Sequence, residues 1–203
     1  MNLHNSISIV KRCISDYHQQ DVVDAASGNP YPPGSIENLL YEKSWTDNIQ
    51  WHLEDIIRDP AINPAKALEL KRKIDKYNQQ RTELVELMDD WFMDQYKEIK
   101  PQPGATWNTE TPAWAFDRLS ILELKIWHME AEAERPDAPG EHREKAKQKW
   151  KVLKKQEEDL SSAIQQLMDD LAAGRKVMKV YRQMKMYNDE SLNPVLYQQK
   201  NKS

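Results

Sequence analysis

The chain has 203 residues, of which 39% are hydrophobic and 31% charged, with 5 glycines, 11 prolines and one cysteine. This length fits a single domain with a substantial core, and so few glycines argue against phosphate-cradling loops. Because the runs of Val, Ile and Leu that a parallel sheet needs are missing, the composition predicts an all-α protein. No stretch of about 18 apolar residues is present, so we expect no membrane insertion. The lone Cys13 favours a reducing, cytoplasmic setting.

Charge is distributed unevenly along the chain, whose formal net charge is −4. Residues 142–203 carry 14 basic and 8 acidic side chains, whereas residues 1–141 carry 15 and 25. A basic C-terminal third is compatible with nucleic-acid binding. Alternating charges along a helix are more typical of a solvated face, so we do not expect nucleic acid as the main partner.

Start and stop signals predict five helices, over residues 6–23, 36–58, 64–97, 112–134 and 141–187, and an extended tail over 188–203. Ser35 is the expected N-cap of the second helix. Asn63 and Thr111 are the expected N-caps of the third and fourth, each followed by a proline at the first helical position. Gly174 falls on the apolar stripe of the fifth helix, which predicts a close helix crossing or a kink there.

An internal echo relates the second and fourth helices. Residues 51–54 (WHLE) resemble 127–130 (WHME), and residues 87–90 and 167–170 both read LMDD. Together with apolar residues at steps of three and four, this predicts a four-helix bundle of two hairpins plus an extra N-terminal helix. True duplication would place His52 and His128 in equivalent surroundings, whereas chance similarity would not.

Polar residues interrupt the apolar stripes, and a buried charge is costly unless it is paired. Such residues form either an internal ionic network or the lining of a ligand cleft. The loop before the fourth helix adds polar side chains near a helix N-terminus, which attracts anions. The candidate cleft residues are His52, Arg81, Asn108, Glu110, Asp117, Arg118 and His128.

Metal and catalytic motifs give little support for a specific chemistry. The Glu-x-x-His pairs of di-iron bundles do not occur. His18, His52 and His128 lie on three predicted helices and are able to meet at one metal, but isolated histidines are more often structural. We therefore assign no metal site and no catalytic residue, and the cofactor stays open.

Several segments resemble one known family. They are 29–31, 34–37, 39–41, 51–55, 108–112, 117–122, 124–126, 128–129 and 193–197. These segments are similar to those of a bacterial domain-of-unknown-function family (number 4254), and the resemblance spans essentially the whole chain. It implies a bacterial, intracellular, all-helical protein and brings no established activity.

The leading functional prediction is a non-catalytic interaction or ligand-binding module that self-associates as a homo-oligomer, with seven tryptophans available for an apolar face. The first alternative is an enzyme, or a protein that binds a small anion or a metal, with a polar cleft around the start of the fourth helix. In that case the arginines hold an anionic group and a histidine moves a proton. The second alternative is nucleic-acid binding through the basic fifth helix.

Overall fold

The structure is a computed structural model that describes residues 2–183 and 191–200. Across these residues the chain is all-α, as predicted, with one isolated bridge between Thr106 and Lys176 and no named strand. The helices are α1 Leu3–Gln20, α2 Ile36–Ile57, α3 Pro64–Tyr96, α4 Pro112–Glu134, α5 Gly140–Ala172 and α6 Pro194–Lys200. None of the helices in the described part of the chain is long and apolar enough to cross a membrane.

The predicted N-caps are confirmed. The hydroxyl of Ser35 accepts from the backbone N–H of Asn38 at 3.1 Å. Asn63 and Thr111 likewise accept from backbone N–H groups of α3 and α4. Each cap satisfies a donor that the helix itself cannot, so the sequence sets where these three helices begin.

The helices pack in a way that is consistent with the predicted four-helix bundle. α2 packs most extensively on α3, and α4 on α5, as two hairpins, while α1 lies against both α2 and α4. Large side chains fill the space between the helices and are almost fully buried; they include Tyr17, Tyr41, Met88, Phe92 and Phe116. The N-terminal helix therefore contributes directly to the core. It spans Leu3–Gln20 and not residues 6–23 as predicted, because Asn2 caps its start and the left-handed Asp21 ends it.

The fifth helix is shorter than predicted, because α5 ends at Ala172 and not near residue 187. Gly174 adopts a left-handed conformation at φ 72°. Its N–H donates to the carbonyl of Leu171 at 3.0 Å, and the N–H of Arg175 donates to that of Asp170 at 2.8 Å. These two bonds form a Schellman motif, which ends a helix at a left-handed glycine. Residues 184–187 of the predicted helix lie outside the described residues.

Gly174 permits a close approach, although to a loop and not to a crossing helix. A Cβ built on it would lie 2.6 Å from the carbonyl oxygen of Lys100. Beyond it, residues 175–178 run beside the loop 102–106, where the N–H of Thr106 donates to the carbonyl of Arg175 at 3.1 Å. The tail is also corrected, because residues 194–200 form α6 and are not extended. Residues 188–190 and 201–203 of that predicted tail are outside the described part.

Candidate functional site

A cluster of charged side chains lies in the core between α2, α3 and α4; we call Lys43, Asp47, Arg81, Asp117 and Ser120 the ionic cluster. Lys43 is fully buried, and its ammonium donates to Oδ2 of Asp47 at 2.7 Å and to the backbone oxygen of Asp117 at 2.9 Å. The same ammonium also donates a hydrogen bond to the hydroxyl of Ser120 and lies 2.9 Å from Oδ1 of Asp117. The hydroxyl of Ser120 donates in turn to Oδ2 of Asp47 at 2.7 Å.

Arg81 closes the ionic cluster on its outer side. Its Nε and Nη2 donate to the two carboxylate oxygens of Asp117 at 2.8 and 2.6 Å, a bidentate pair. Burial alone raises the pKa of Asp117, but Lys43 and Arg81 more than offset it, so this pKa lies below its usual value. With two basic and two acidic side chains the ionic cluster is formally neutral, which is how charges persist in a core.

A cleft opens beside the ionic cluster. It has a volume of about 450 Å³. Its lining residues, which define the α2–α3–α4 cleft, are Asp47, Gln50, Trp51, Glu54, Asp55, Arg58, Asn78, Arg81, Ile121 and Leu124. Oδ1 of Asp47 is buried and has no hydrogen-bond partner within the described residues. Burial raises the pKa of Asp47, and Lys43 offsets this only in part.

Histidines from three helices meet near the end of α1. Nδ1 of His52 lies 2.9 Å from the hydroxyl of Tyr17, and its Nε2 lies 3.3 Å from Oδ1 of Asp21. The ring of His18 is 6.2 Å from that of His52 and 5.2 Å from that of His128, measured between centroids. We call His18, His52 and His128, with Tyr17 and Asp21, the histidine cluster.

His128 connects the histidine cluster to the cleft. Its ring stacks on Trp51 with centroids 4.4 Å apart and planes 4° from parallel, and Trp51 lines the α2–α3–α4 cleft. Burial, assisted by the neighbouring His18, lowers the pKa of His128 to about 4. The imidazole is therefore neutral near pH 7.

The start of α4 forms a separate concave surface. Asn108 donates to the backbone oxygen of Glu110 at 3.0 Å, and the Glu110 side chain pairs with Arg118. Lys179 lies over the ring of Trp107 at 4.5 Å. The cavity has a volume of about 340 Å³ and is lined by Trp107, Asn108, Thr109, Glu110, Thr111, Trp114, Lys179, Tyr181 and Gln183.

A further polar group joins α1, α4 and α5 and consists of two buried carboxyl groups and a half-exposed lysine. The ammonium of Lys11 lies 2.9 Å from Oε1 of Glu157 and 3.6 Å from Oε2 of Glu123. Burial, together with the hydrogen bond to Glu157, raises the pKa of Glu123 to about 8. Burial acts on Glu157 too, but hydrogen bonds from Glu123, Lys154 and Lys11 outweigh it and lower that pKa to about 2. The surroundings therefore move the two carboxyl pKa values in opposite directions, that of Glu123 upward and that of Glu157 downward.

Basic residues of α5 are partly neutralised by acidic neighbours on the same helix. Lys145 pairs with Glu141 at 2.6 Å, and Lys155 pairs with Asp159 at 3.0 Å. Such pairing reduces the positive potential that nucleic-acid binding needs.

The seven candidate residues from the sequence fall in three neighbouring places. Arg81 and Asp117 belong to the ionic cluster, whereas His52 and His128 belong to the histidine cluster. The other three, Asn108, Glu110 and Arg118, surround the start of α4. The structure brings them together within each place but not in one cleft.

Sequence reasoning missed the residues that complete these sites: Lys43, Asp47, Ser120, Tyr17 and Asp21. A signal existed for the first two. They follow the buried Leu40 at steps of three and four, so they share its face of α2. Ser120 and Tyr17 contribute through contacts between helices, whereas Asp21 lies three residues after His18 at the end of α1.

The fold and these sites define an all-α helical protein that keeps paired charges in its core. The chain belongs to the family described as Protein of unknown function (DUF4254), which it matches over residues 37–180. No curated protein and no solved structure matches it. The matched range contains the ionic cluster, His52 and His128, whereas His18 and Asp21 precede it.

Proposed function

We propose that the chain is a ligand-binding protein whose ligand occupies the α2–α3–α4 cleft. The observation that carries this proposal is Oδ1 of Asp47, a buried acceptor without a hydrogen-bond partner in the described part of the chain, on a residue that lines the cleft. The cation that it contacts, Nε of Arg81, is 3.8 Å away, which is too far for a hydrogen bond. A buried polar atom without a hydrogen bond is costly, so a ligand that donates to it gains binding energy. A volume of about 450 Å³ lies within the range of small-molecule sites.

The lining indicates the chemistry of the ligand. Asp47 calls for a hydroxyl or amine donor, and the bonds of Arg81 to Asp117 use Nε and Nη2, which leaves Nη1 for an acceptor or a small anionic group. Trp51 and Leu124 supply apolar surface. A small molecule with a donor and an anionic group close together, such as an amino acid, a hydroxy acid or a sugar phosphate, fits this lining.

A thermal-shift screen against amino acids, hydroxy acids and sugar phosphates tests the proposal, because a bound ligand raises apparent stability by mass action. Ile121→Trp places a larger side chain in the cleft without replacing a charged residue and is expected to abolish the shift. Leu68→Trp, at an exposed position of α3 outside the cleft, is the matched control and is expected to keep it. A flat response across the screen, or a shift that survives in I121W, would contradict the proposal.

Self-association is the second candidate. An apolar groove of about 390 Å³ runs between α4 and α5, lined mainly by Met129, Val152 and Leu153. Val152 is 58% exposed and shares this groove with Met129 and Leu153, so the three side chains form one apolar surface that a second copy of the chain would cover. Light scattering coupled to size exclusion is expected to report a dimer that Val152→Lys dissociates. A monomer at all concentrations would argue against it.

We also retain a cytoplasmic location as a proposal. Its support is Cys13, the single cysteine of the chain, which is buried and free. Proteins of oxidising compartments tend to use cysteines in pairs. Fractionation of cells that produce the chain, with detection in the cytoplasmic fraction expected, is the direct measurement.

A further inference from the structure

The histidine cluster contains donor atoms in an arrangement suited to a metal ion. One ligand atom each from His18, Asp21 and His52 lies within 4.8 Å of the other two. Nε2 of His18 is buried and has no hydrogen-bond partner within residues 2–183 and 191–200. An imidazole nitrogen buried without a partner needs an explanation in a folded protein.

In both histidines the Nδ1 atom is held by a hydrogen bond, which orients the ring and leaves Nε2 for a metal ion. Nδ1 of His18 lies 2.8 Å from the backbone oxygen of Ile14, which can only accept, so Nδ1 carries the proton and Nε2 has a free lone pair. Nδ1 of His52 lies 2.9 Å from the hydroxyl of Tyr17, which is able to accept from it. Metal-binding histidines typically donate their second N–H to a carbonyl or another oxygen in this way.

The spacing between His52 and Asp21 also fits a shared ion. Nε2 and Oδ1 are 3.3 Å apart, longer than a typical N–H···O hydrogen bond of about 2.9 Å. Two ligands at about 2.0–2.1 Å from a tetrahedral zinc ion are about 3.3–3.4 Å apart. The observed separation therefore matches the spacing of two ligands on one ion.

The backbone places Asp21 where it reaches both histidines. It is the C-cap of α1, with φ 53° in the left-handed region, which aspartate tolerates better than most residues. Its side chain is 58% exposed and that of His52 is 22% exposed. An ion and a water molecule are thus able to enter from solvent.

We propose that His18 and His52, through Nε2, and Asp21, through its carboxylate, form a site for a divalent transition metal ion, with water in the remaining position. Imidazole ligands favour zinc, cobalt, nickel or copper over magnesium or calcium. His128 lies beside this site and outside the three-residue ligand set. This inference goes beyond the proposed function, since the three ligands do not line the α2–α3–α4 cleft.

Calorimetric titration of the untagged, EDTA-treated full chain with Zn²⁺ tests the site, with Co²⁺ absorption as a spectroscopic measure of the ligand set. We expect one equivalent of Zn²⁺ to bind and Co²⁺ to give visible d–d bands. Asp21→Asn and His52→Gln are each expected to weaken Zn²⁺ binding at least about tenfold and to remove those bands.

Histidines elsewhere provide the controls. His4→Gln and His142→Gln, both at exposed positions, are expected to change the Zn²⁺ affinity less than about twofold. Circular dichroism of each metal-free variant checks folding, and D21N decides the matter if H52Q misfolds, because asparagine also accepts the left-handed conformation. Absence of stoichiometric Zn²⁺ binding, or binding that persists in D21N, would overturn the proposal, as would a tenfold loss in either control.

Discussion

Replacing Lys43 by methionine is the sharpest test of the ionic cluster. Methionine matches the length of the lysine stem, so the change removes the charge and leaves little cavity. The variant loses the contacts of the ammonium with Asp47, Asp117 and Ser120 and leaves two carboxylates with Arg81 as their single cation. Breaking a buried pair in this way costs about 3–5 kcal/mol. For a chain of 203 residues this corresponds to a fall in Tm of about 6–20 °C.

The assay is urea unfolding followed by circular dichroism, with a lower midpoint and an unchanged m-value expected for K43M. Lys125→Met, at an exposed position of α4, is the control and is expected to stay within about 0.5 kcal/mol of the original chain. The double variant K43M/D47N removes one charge of each sign and keeps the Arg81–Asp117 pair, so it is expected to regain at least half of the lost stability. A loss below about 1 kcal/mol in K43M, or no recovery in the double variant, would refute the reasoning.

The loss in K43M is also expected to depend on pH. With Lys43 removed, the ionic cluster carries one excess negative charge, and this raises the pKa of a carboxyl group, Asp47 before Asp117. A group whose pKa is higher in the folded state stabilises the fold at low pH and loses this effect as pH rises. The stability difference between K43M and the original chain is therefore expected to be smaller at pH 5 than at pH 8.

Three further predictions concern other parts of the molecule. Burial raises the pKa of Glu123 to about 8, so the stabilisation from this carboxyl group is complete below about pH 4.5 and is lost as pH rises through 8. The stability advantage of the original chain over E123Q is expected to fall by up to about 1.4 kcal/mol per pH unit in that window. A stability difference that stays constant with pH would contradict this prediction. Gly174→Ala is expected to cost more than 2 kcal/mol in urea unfolding, because the backbone there is left-handed and a Cβ would clash with the carbonyl of Lys100. Gly104 is also left-handed but has nothing within 4 Å, so Gly104→Ala is expected to cost only about 1–2 kcal/mol. Equal losses in the two variants would refute the clash at Gly174. Tyr17→Phe removes the partner of His52 Nδ1 and should weaken Zn²⁺ binding about 10–100-fold by calorimetry, and unchanged affinity would argue against that orienting role.

Local chemistry explains which parts of the fold are predictable from the sequence. Ser35, Asn63 and Thr111 cap their helices through their own side chains, so the starts of α2, α3 and α4 follow from short-range patterns. The end of α5 did not follow, although Gly174 is a recognisable stop signal. Because Gly174 lies on the apolar stripe of the predicted helix, it was interpreted as a helix crossing or a kink. A left-handed glycine more commonly ends a helix, as Gly174 does here.

The candidate sites divide in the same way. The positions of Arg81 and Asp117 on apolar stripes indicated that these residues are either paired in the core or line a cleft, because burial penalises an unpaired charge whatever the fold. Which partners they have depends on helix packing: Arg81 meets Asp117 across 36 residues of sequence, and Lys43 meets the same residue across 74. Similarly, His18 and Asp21 lie three residues apart at the end of α1, whereas the packing of α2 on α1 is what brings His52 to them.

By itself, the sequence determined an all-α chain, the starts of α2, α3 and α4, and the presence of charge on core-facing stripes, since caps, periodicity and composition act within a few residues. The tertiary structure decided which charges neutralise one another, where a cleft remains beside them, and that three donor groups meet at the end of α1. The physical reason is the distance along the sequence over which each interaction acts. Hydrogen bonds within a helical turn join residues a few positions apart, whereas burial, charge pairing and the meeting of metal-ligand atoms arise only when separate helices pack together.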